Sequence, residues 1–219
     1  MTSNRPYRFL CLHGYRQDGR ALRQKMGSLR QKFSKTVEFD YVDAPHLAKV
    51  GDEPQIASEL SWYATSETGE FYAHSTSPKA YGFEESIEVL DKHCEEHGPY
   101  NALLGFSQGG TMAHLYFAHC VKSGKKPFKG IVVFAGFPSK VDEHRELMTC
   151  KNDAENLFIL STYDTVITSN YTEELARNGY SNPNLLYHEG RHGIPNNKVL
   201  QLPLQTFIDR TLLSESQKG

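Results

Sequence analysis

Residues 101–110, NALLGFSQGG, place a serine where it could act as a nucleophile. A short apolar run that is typical of a buried strand ends at Gly105, and an apolar stretch at helical spacing follows Gly109. A Gly-x-Ser-x-Gly sequence between a strand and a helix is typical of a nucleophile elbow, a sharp turn that presents the serine hydroxyl above the sheet. We therefore predict that Ser107 is a nucleophile; the alternative is an ordinary strand-to-helix turn.

A serine hydroxyl needs a base and an orienting acid before it attacks a carbonyl carbon, and later parts of the chain supply both residue types. The predicted strand 157–160 runs into a loop that holds Asp164, and the last predicted strand runs into a loop that holds His192. Because the carboxyl ends of parallel strands meet at one edge of a sheet, we expect both side chains close to Ser107. Asp153 precedes its strand and would lie at the opposite edge.

The negative oxygen that forms in such a reaction requires hydrogen-bond donors, and two backbone N–H groups are candidates. That of Gln108 follows the nucleophile at the positive end of a predicted helix. That of Tyr15 lies in the His13-Gly14-Tyr15 loop, which follows the first predicted strand. His13 itself is predicted to brace this loop; the alternative is a catalytic role.

The elements that position these loops alternate along the chain. Apolar residues recur every three or four positions over Leu22–Phe33, which predicts one helix with Asp18 as its N-cap. Pro203 is expected in the first turn of the last helix, or at a kink in it. Six predicted strands, at 7–12, 36–42, 101–104, 130–134, 157–160 and 184–188, alternate with helices. This alternation predicts an α/β domain over 1–219 with a doubly wound, mostly parallel sheet.

Residues 43–80 show no periodic pattern and are predicted to form a long loop or lid-like insertion. The segment leaves the second strand at its carboxyl end, the edge at which open α/β sheets bind ligands. We therefore predict that apolar residues of this segment and of neighbouring loops contact the substrate: Trp62, Tyr63, Phe137, Val166 and Ile194. The alternative for Trp62 is that it anchors the segment to the core.

The bulk composition indicates an ordinary soluble globular protein and no special partner. The 219 residues are 38% hydrophobic and 23% charged, and the net charge of −2 gives no reason to expect nucleic acid as a partner. His93 and His97 lack an evident third ligand, and the four cysteines are widely spaced, so we predict no metal site and no disulfide framework. No run reaches membrane-spanning length and the N-terminus has no apolar leader, so a cytoplasmic or also nuclear location is expected.

Four stretches of the chain resemble the FSH family of eukaryotic serine hydrolases, and within it the ovarian-cancer-associated type of esterase. They are Leu12–Tyr15, Gly105–Gly110, Asp164–Val166 and Gly190–Pro195, and the resemblance covers nearly the whole chain. It implies an α/β-hydrolase fold, hydrolysis of small-molecule carboxylic esters or thioesters by a triad of Ser107, Asp164 and His192, and no cofactor.

The sequence departs from the family pattern in the loops around the proposed acid and base. Ser161, Thr168 and Arg191 stand where the family often has Gly, Pro and Gly. These positions lie outside the three reactive side chains, so the departures concern the shape of the substrate site.

Two other interpretations of the sequence are possible, one a different family of hydrolases and the other a protein without catalytic activity. An acyl-protein thioesterase or phospholipid-type carboxylesterase shares the Gly-Phe-Ser-Gln-Gly-Gly string, although the Gly193-Ile194-Pro195 stretch favours the first family. The other alternative is a binding protein that has kept the fold and lost turnover. The sequence assigns no oligomeric state.

Overall fold

The computed structural model describes residues 6–125, 128–195 and 197–216. Its six main strands are β1 (Tyr7–Leu12), β2 (Val37–Val42), β5 (Ala102–Phe106), β6 (Gly130–Phe134), β7 (Glu155–Ser161) and β8 (Leu185–His188). They form one sheet in the order β2-β1-β5-β6-β7-β8, and every neighbouring pair is parallel. Two short strands, β3 (His46–Leu47) and β4 (Leu60–Ser61), pair antiparallel outside this sheet.

Helices cover both faces of the sheet. They are α1 (Gly19–Lys25), α2 (Gly27–Phe33), α3 (Phe83–His97), α4 (Gln108–Lys122), α5 (Arg145–Met148), α6 (Ser169–Gly179) and α7 (Asn197–Ser216). The apolar residues of α1, α2 and α7 join one core cluster, and those of α3, α4 and α6 join a second. Strands such as β6 are apolar throughout because both of their faces are covered. The predicted doubly wound parallel sheet is confirmed.

Two helix predictions need correction. The expected single helix over Leu22–Phe33 is two helices, because the chain leaves helical geometry at Met26, with φ −88° and ψ 9°. The apolar period survives the break since both short helices turn the same side to the core. Of the two positions expected for Pro203, the first turn is wrong, because the residue lies inside α7, where the alternative of a kink places it. The predicted N-cap is confirmed: the Asp18 carboxylate accepts the Ala21 N–H at 2.7 Å.

The segment 43–80 forms no helix, and its regular structure is limited to β3, β4 and isolated bridges. The backbone of Leu60 bonds in both directions to the loop after β1, donating to the carbonyl of Gln17 and accepting from the N–H of Arg16, each at 3.0 Å. The middle of the segment is therefore fixed to the loop that carries Tyr15. Across the ranges described, no helix combines the length and the hydrophobicity needed to cross a membrane.

The first turn of α4 lies directly on the end of β1 because Gly109 has no side chain. A Cβ at this position would overlap the carbonyl oxygens of Leu12 and His13. Gly105 also has no space for a side chain, because its Cβ would overlap the carbonyl group of Gly109. Both glycines of the predicted elbow are thus required by packing between the strand and the helix.

This packing predicts opposite effects for two glycine substitutions. Gly109→Ala should lower the free energy of unfolding by about 3 kcal/mol, since the new methyl group meets rigid backbone. Gly27→Ala is the matched control: it lies in α2, and nothing stands within 4 Å of the added Cβ. It should raise the free energy of unfolding by about 0.5 kcal/mol through lower chain entropy of the unfolded state. Urea unfolding measures both, and equal effects would contradict the packing argument.

Candidate active site

Ser107 occupies the turn between β5 and α4 in a backbone conformation that non-glycine residues rarely adopt, with φ 54° and ψ −120°. Its N–H donates to the carbonyl of Phe134 at 2.8 Å, which continues the hydrogen bonding of the sheet into the turn. Backbone strain of this kind persists only where the surroundings impose it, and it is concentrated at functional sites.

The side chains of Ser107, His192 and Asp164 form one hydrogen-bonded chain. The Nε2 atom of His192 lies 3.1 Å from the Ser107 hydroxyl oxygen, and its Nδ1 atom lies 2.6 Å from an Asp164 carboxylate oxygen. The acid follows β7 and the imidazole follows β8, at the edge where β5 ends in the elbow. The structure therefore brings together the three side chains that the sequence singled out. Asp153 is exposed and precedes β7.

The Asp164 carboxylate is enclosed by hydrogen-bond donors. Its side chain is fully buried, and its Oδ1 accepts the N–H groups of Val166 at 2.8 Å and Ile167 at 2.9 Å. Burial by itself raises the pKa of this carboxyl, but the hydrogen bonds from His192 and from the two N–H groups outweigh that effect and lower the pKa. The group is therefore held as an anion that orients the imidazole.

The two candidate donors for a negative oxygen belong to residues near Ser107. Tyr15 lines the same cavity as Ser107, and Gln108 is the first residue of α4. Within the part of the chain that the structure describes, neither backbone N–H donates to a protein acceptor.

His13 braces the loop that carries Tyr15. The ring is fully buried, and its Nε2 accepts the Ala44 N–H at 3.0 Å. The proton must then sit on Nδ1, which donates to the carbonyl of Gly14 at 2.9 Å. Burial lowers the pKa of His13 and so favours this neutral form. These contacts agree with the predicted bracing role.

A cavity of about 620 Å³ opens beside Ser107 and His192. Two of the predicted substrate contacts, Phe137 and Val166, lie in its wall. Most of the remaining wall is also aromatic or apolar: Tyr15, Phe71, Tyr72, Ala73, Phe106 and Ile167. The cavity therefore suits an apolar group placed next to the serine hydroxyl.

The prediction that Trp62 and Tyr63 contact the substrate does not agree with the structure. Their exposed fractions are 0% and 1%, and neither side chain lines the cavity. The indole N–H of Trp62 donates to the carbonyl of His13 at 2.8 Å, as the alternative of an anchor requires. Ile194 is also absent from the wall, since it packs against core residues on one face of the sheet. Phe71, Tyr72 and the imidazole ring of His74 are the aromatic groups of segment 43–80 that line the cavity.

Among the described residues, no three or more His, Cys, Asp or Glu residues are arranged to hold a metal ion. His93, for which the sequence showed no evident third metal ligand beside His97, pairs with the Asp40 carboxylate at 3.0 Å.

Comparison with known proteins assigns the chain to a family. The family model described as "Serine hydrolase (FSH1)" matches residues 1–203. The chain belongs to this family. It is therefore an enzyme, a serine hydrolase of the esterase class, and the predicted family is confirmed.

Individual relatives agree with the family assignment. Esterase C25G4.2 of Caenorhabditis elegans is 34% identical over 199 residues, which are 89% of each chain. Esterase OVCA2 of Danio rerio is 28% identical over 228 residues, covering 94% of this chain and 97% of the relative. The solved structure of Zea mays acyl-protein thioesterase 2 has a TM-score of 0.63, 15% identity and 96% coverage of both chains. This likeness confirms the α/β-hydrolase fold.

The lowered pKa of Asp164 predicts how the stability of this family member depends on pH. The carboxyl group has a lower pKa in the folded state than its unfolded value of about 3.9. Its contribution to the free energy of unfolding is therefore fully present at pH values above about 3.9. The contribution is lost as the pH falls through the folded pKa. We therefore expect Asp164→Asn to lower the free energy of unfolding most near neutral pH and progressively less below about pH 4.

Urea unfolding over the acidic and neutral range measures this difference, with Asp153→Asn as the control. The Asp153 side chain is exposed, so its variant should match the wild-type protein at each pH. A loss in Asp164→Asn that stays constant down to the lowest pH would show that the carboxylate charge is not its origin.

Proposed function

We propose that the protein hydrolyses carboxylic esters through an acyl-enzyme intermediate on Ser107, with His192 as base and Asp164 as orienting acid. The observation that carries the proposal is the hydrogen-bonded chain of 2.6 Å and 3.1 Å, which ends on a serine held in a strained turn. Family membership and relatives named as esterases support the same reaction class.

The proposed reaction begins when His192 takes the hydroxyl proton of Ser107 and the oxygen attacks the ester carbonyl carbon. Asp164 stabilises the imidazolium that forms. The carbonyl oxygen becomes an oxyanion and accepts hydrogen bonds from the N–H groups of Tyr15 and Gln108. The bond to the leaving oxygen then breaks, His192 protonates the departing alcohol, and the acyl group remains on Ser107. Water repeats the sequence and releases the acid.

The substrate that the cavity fits best is an ester with an apolar acyl group. The volume of about 620 Å³ and the aromatic side chains of Phe71, Tyr72 and Phe137 support an acyl chain of several carbons. A thioester would react through the same acyl-enzyme with a thiol as leaving group, and it belongs to the proposal as a second substrate class.

The nucleophile is tested by Ser107→Ala. Turnover of p-nitrophenyl butyrate should fall by about 10⁶, because the variant lacks the attacking oxygen. Covalent labelling by a fluorophosphonate should also disappear, while the urea unfolding curve shows a folded protein. A variant that retained a tenth of the wild-type rate would place the reaction elsewhere.

The acyl wall is tested by Phe71→Ala. The ratio of kcat/KM for octanoyl over acetyl p-nitrophenyl esters should fall about 10-fold or more, because each methylene group loses part of its apolar contact. Phe39→Ala is the matched control, since Phe39 is also partly buried but stacks on Phe9 away from the cavity. If both variants left the chain-length profile unchanged, Phe71 would not bind the acyl group.

A further inference from the structure

Trp62 lies between the two backbone segments that carry the proposed oxyanion donors. Its indole N–H donates to the carbonyl of His13, two residues before Tyr15, at 2.8 Å. Its backbone N–H donates to the side-chain oxygen of Gln108 at 3.1 Å. We propose that Trp62 is a positioning residue that holds the N–H groups of Tyr15 and Gln108 in the geometry that stabilises the oxyanion. The inference rests on the proposed esterase mechanism.

The contact with His13 controls the direction of the Tyr15 N–H. The ring of His13 lies 5.2 Å from the indole, and its Nδ1 donates to the carbonyl of Gly14 at 2.9 Å. That carbonyl belongs to the same peptide group as the Tyr15 N–H. In a trans peptide the C=O and N–H bonds point in opposite directions. Holding the carbonyl from the interior therefore directs the Tyr15 N–H away from His13 and outward.

The contact with Gln108 fixes the other donor. The side-chain amide of Gln108 is fully buried, accepting from the Trp62 N–H and donating to the carbonyl of Tyr63 at 2.9 Å. The hydroxyl of Ser86, on α3, donates to the carbonyl of Trp62 from the other side. Because Gln108 is held at both ends of its amide, the first turn of α4 cannot rotate without breaking these bonds. Its own N–H is thereby kept beside Ser107.

The loop after β1 and the first turn of α4 also touch directly, so the contacts of Trp62 hold both segments together. Gly109 leaves no space between α4 and the carbonyl of His13, the same carbonyl that accepts the indole N–H. A shift of this peptide would move both donors relative to Ser107. A residue of this kind acts on the transition state, where the oxyanion exists, and has little effect on binding of the uncharged ester.

The test is Trp62→Phe, which removes the indole N–H and keeps an aromatic ring. For p-nitrophenyl butyrate we expect kcat to fall about 10- to 100-fold and KM to change less than about threefold. The affinity for a propyl trifluoromethyl ketone, which forms a tetrahedral adduct with a serine hydroxyl, should fall by the same factor as kcat. Competitive inhibition by 1-butanol, which forms no oxyanion, should be unchanged.

Tyr116→Phe is the matched control. Tyr116 is also a buried aromatic residue, and its hydroxyl donates to Asp91 at 2.7 Å, outside the site. Its variant should lose some thermal stability and keep wild-type kcat. If Trp62→Phe behaves in the same way, Trp62 is only an anchor and the inference is overturned.

A second variant addresses loss of folding in Trp62→Phe. Trp62 is the single tryptophan of the chain, so growth of a tryptophan auxotroph on β-(3-benzothienyl)alanine replaces this residue alone. The sulfur ring keeps the shape of indole and lacks the N–H donor. The same loss of kcat and ketone affinity supports the inference, whereas wild-type kcat overturns it. Failure of the proposed esterase mechanism can be distinguished from failure of the Trp62 inference. In the first case Ser107→Ala would retain activity and a fluorophosphonate would not label the wild-type protein.

Discussion

The site depends on one close approach, that of the first turn of α4 to the carbonyl oxygens at the end of β1. Gly109 permits this approach, because any Cβ there would overlap the backbone of Leu12 and His13. The consequence is that the residue after the serine and the loop after β1 lie side by side. The two proposed oxyanion donors, the N–H groups of Gln108 and Tyr15, therefore belong to backbone segments that are distant in sequence and adjacent in space. The strained conformation of Ser107 follows from the same constraint, since the chain must reverse sharply to leave β5 and enter α4.

Burial and hydrogen bonding have opposite effects on the pKa of the Asp164 carboxyl group. A carboxylate as buried as that of Asp164 would favour its neutral form if desolvation acted alone. Two backbone N–H groups of the following turn and the imidazole replace the lost water. Because those N–H groups belong to the next three residues, the turn after β7 itself provides the hydrogen bonds that replace water around the carboxylate. The imidazole of His192 can therefore be oriented by a full charge without exposing that charge to solvent.

The sequence allowed the sheet, the strand-to-helix turn and the meeting of Ser107, Asp164 and His192 to be predicted, because topology fixes them. In a parallel sheet the residues after each strand meet at one edge, so Asp164 and His192 could be assigned without knowledge of any contact. The substrate wall depends on contacts that leave no periodic pattern. Segment 43–80 carries two aromatic pairs, and nothing local indicates that Trp62 turns inward while Phe71 reaches the cavity. That choice depends on hydrogen bonds to His13 and Gln108, which are distant in sequence. The break at Met26 was hidden because both helices keep one apolar face.

The aromatic segment joins the substrate wall to the proposed oxyanion donors through Tyr15. The Tyr15 ring packs 5.1 Å from that of Phe71, its hydroxyl donates to the carbonyl of Lys49 at 2.7 Å, and its N–H is one of the proposed donors. Phe71 in turn packs edge-on against Tyr63, 5.4 Å away, next to Trp62. The buried residues Trp62 and Tyr63 therefore hold the backbone around the proposed donors, whereas Phe71 and Tyr72 shape the cavity wall. Since the backbone contacts are made by groups at Trp62 and Tyr63, side-chain changes at Tyr72, which is largely exposed, can alter the cavity without breaking them. Phe71 has less freedom, because its ring contacts both Tyr15 and Tyr63.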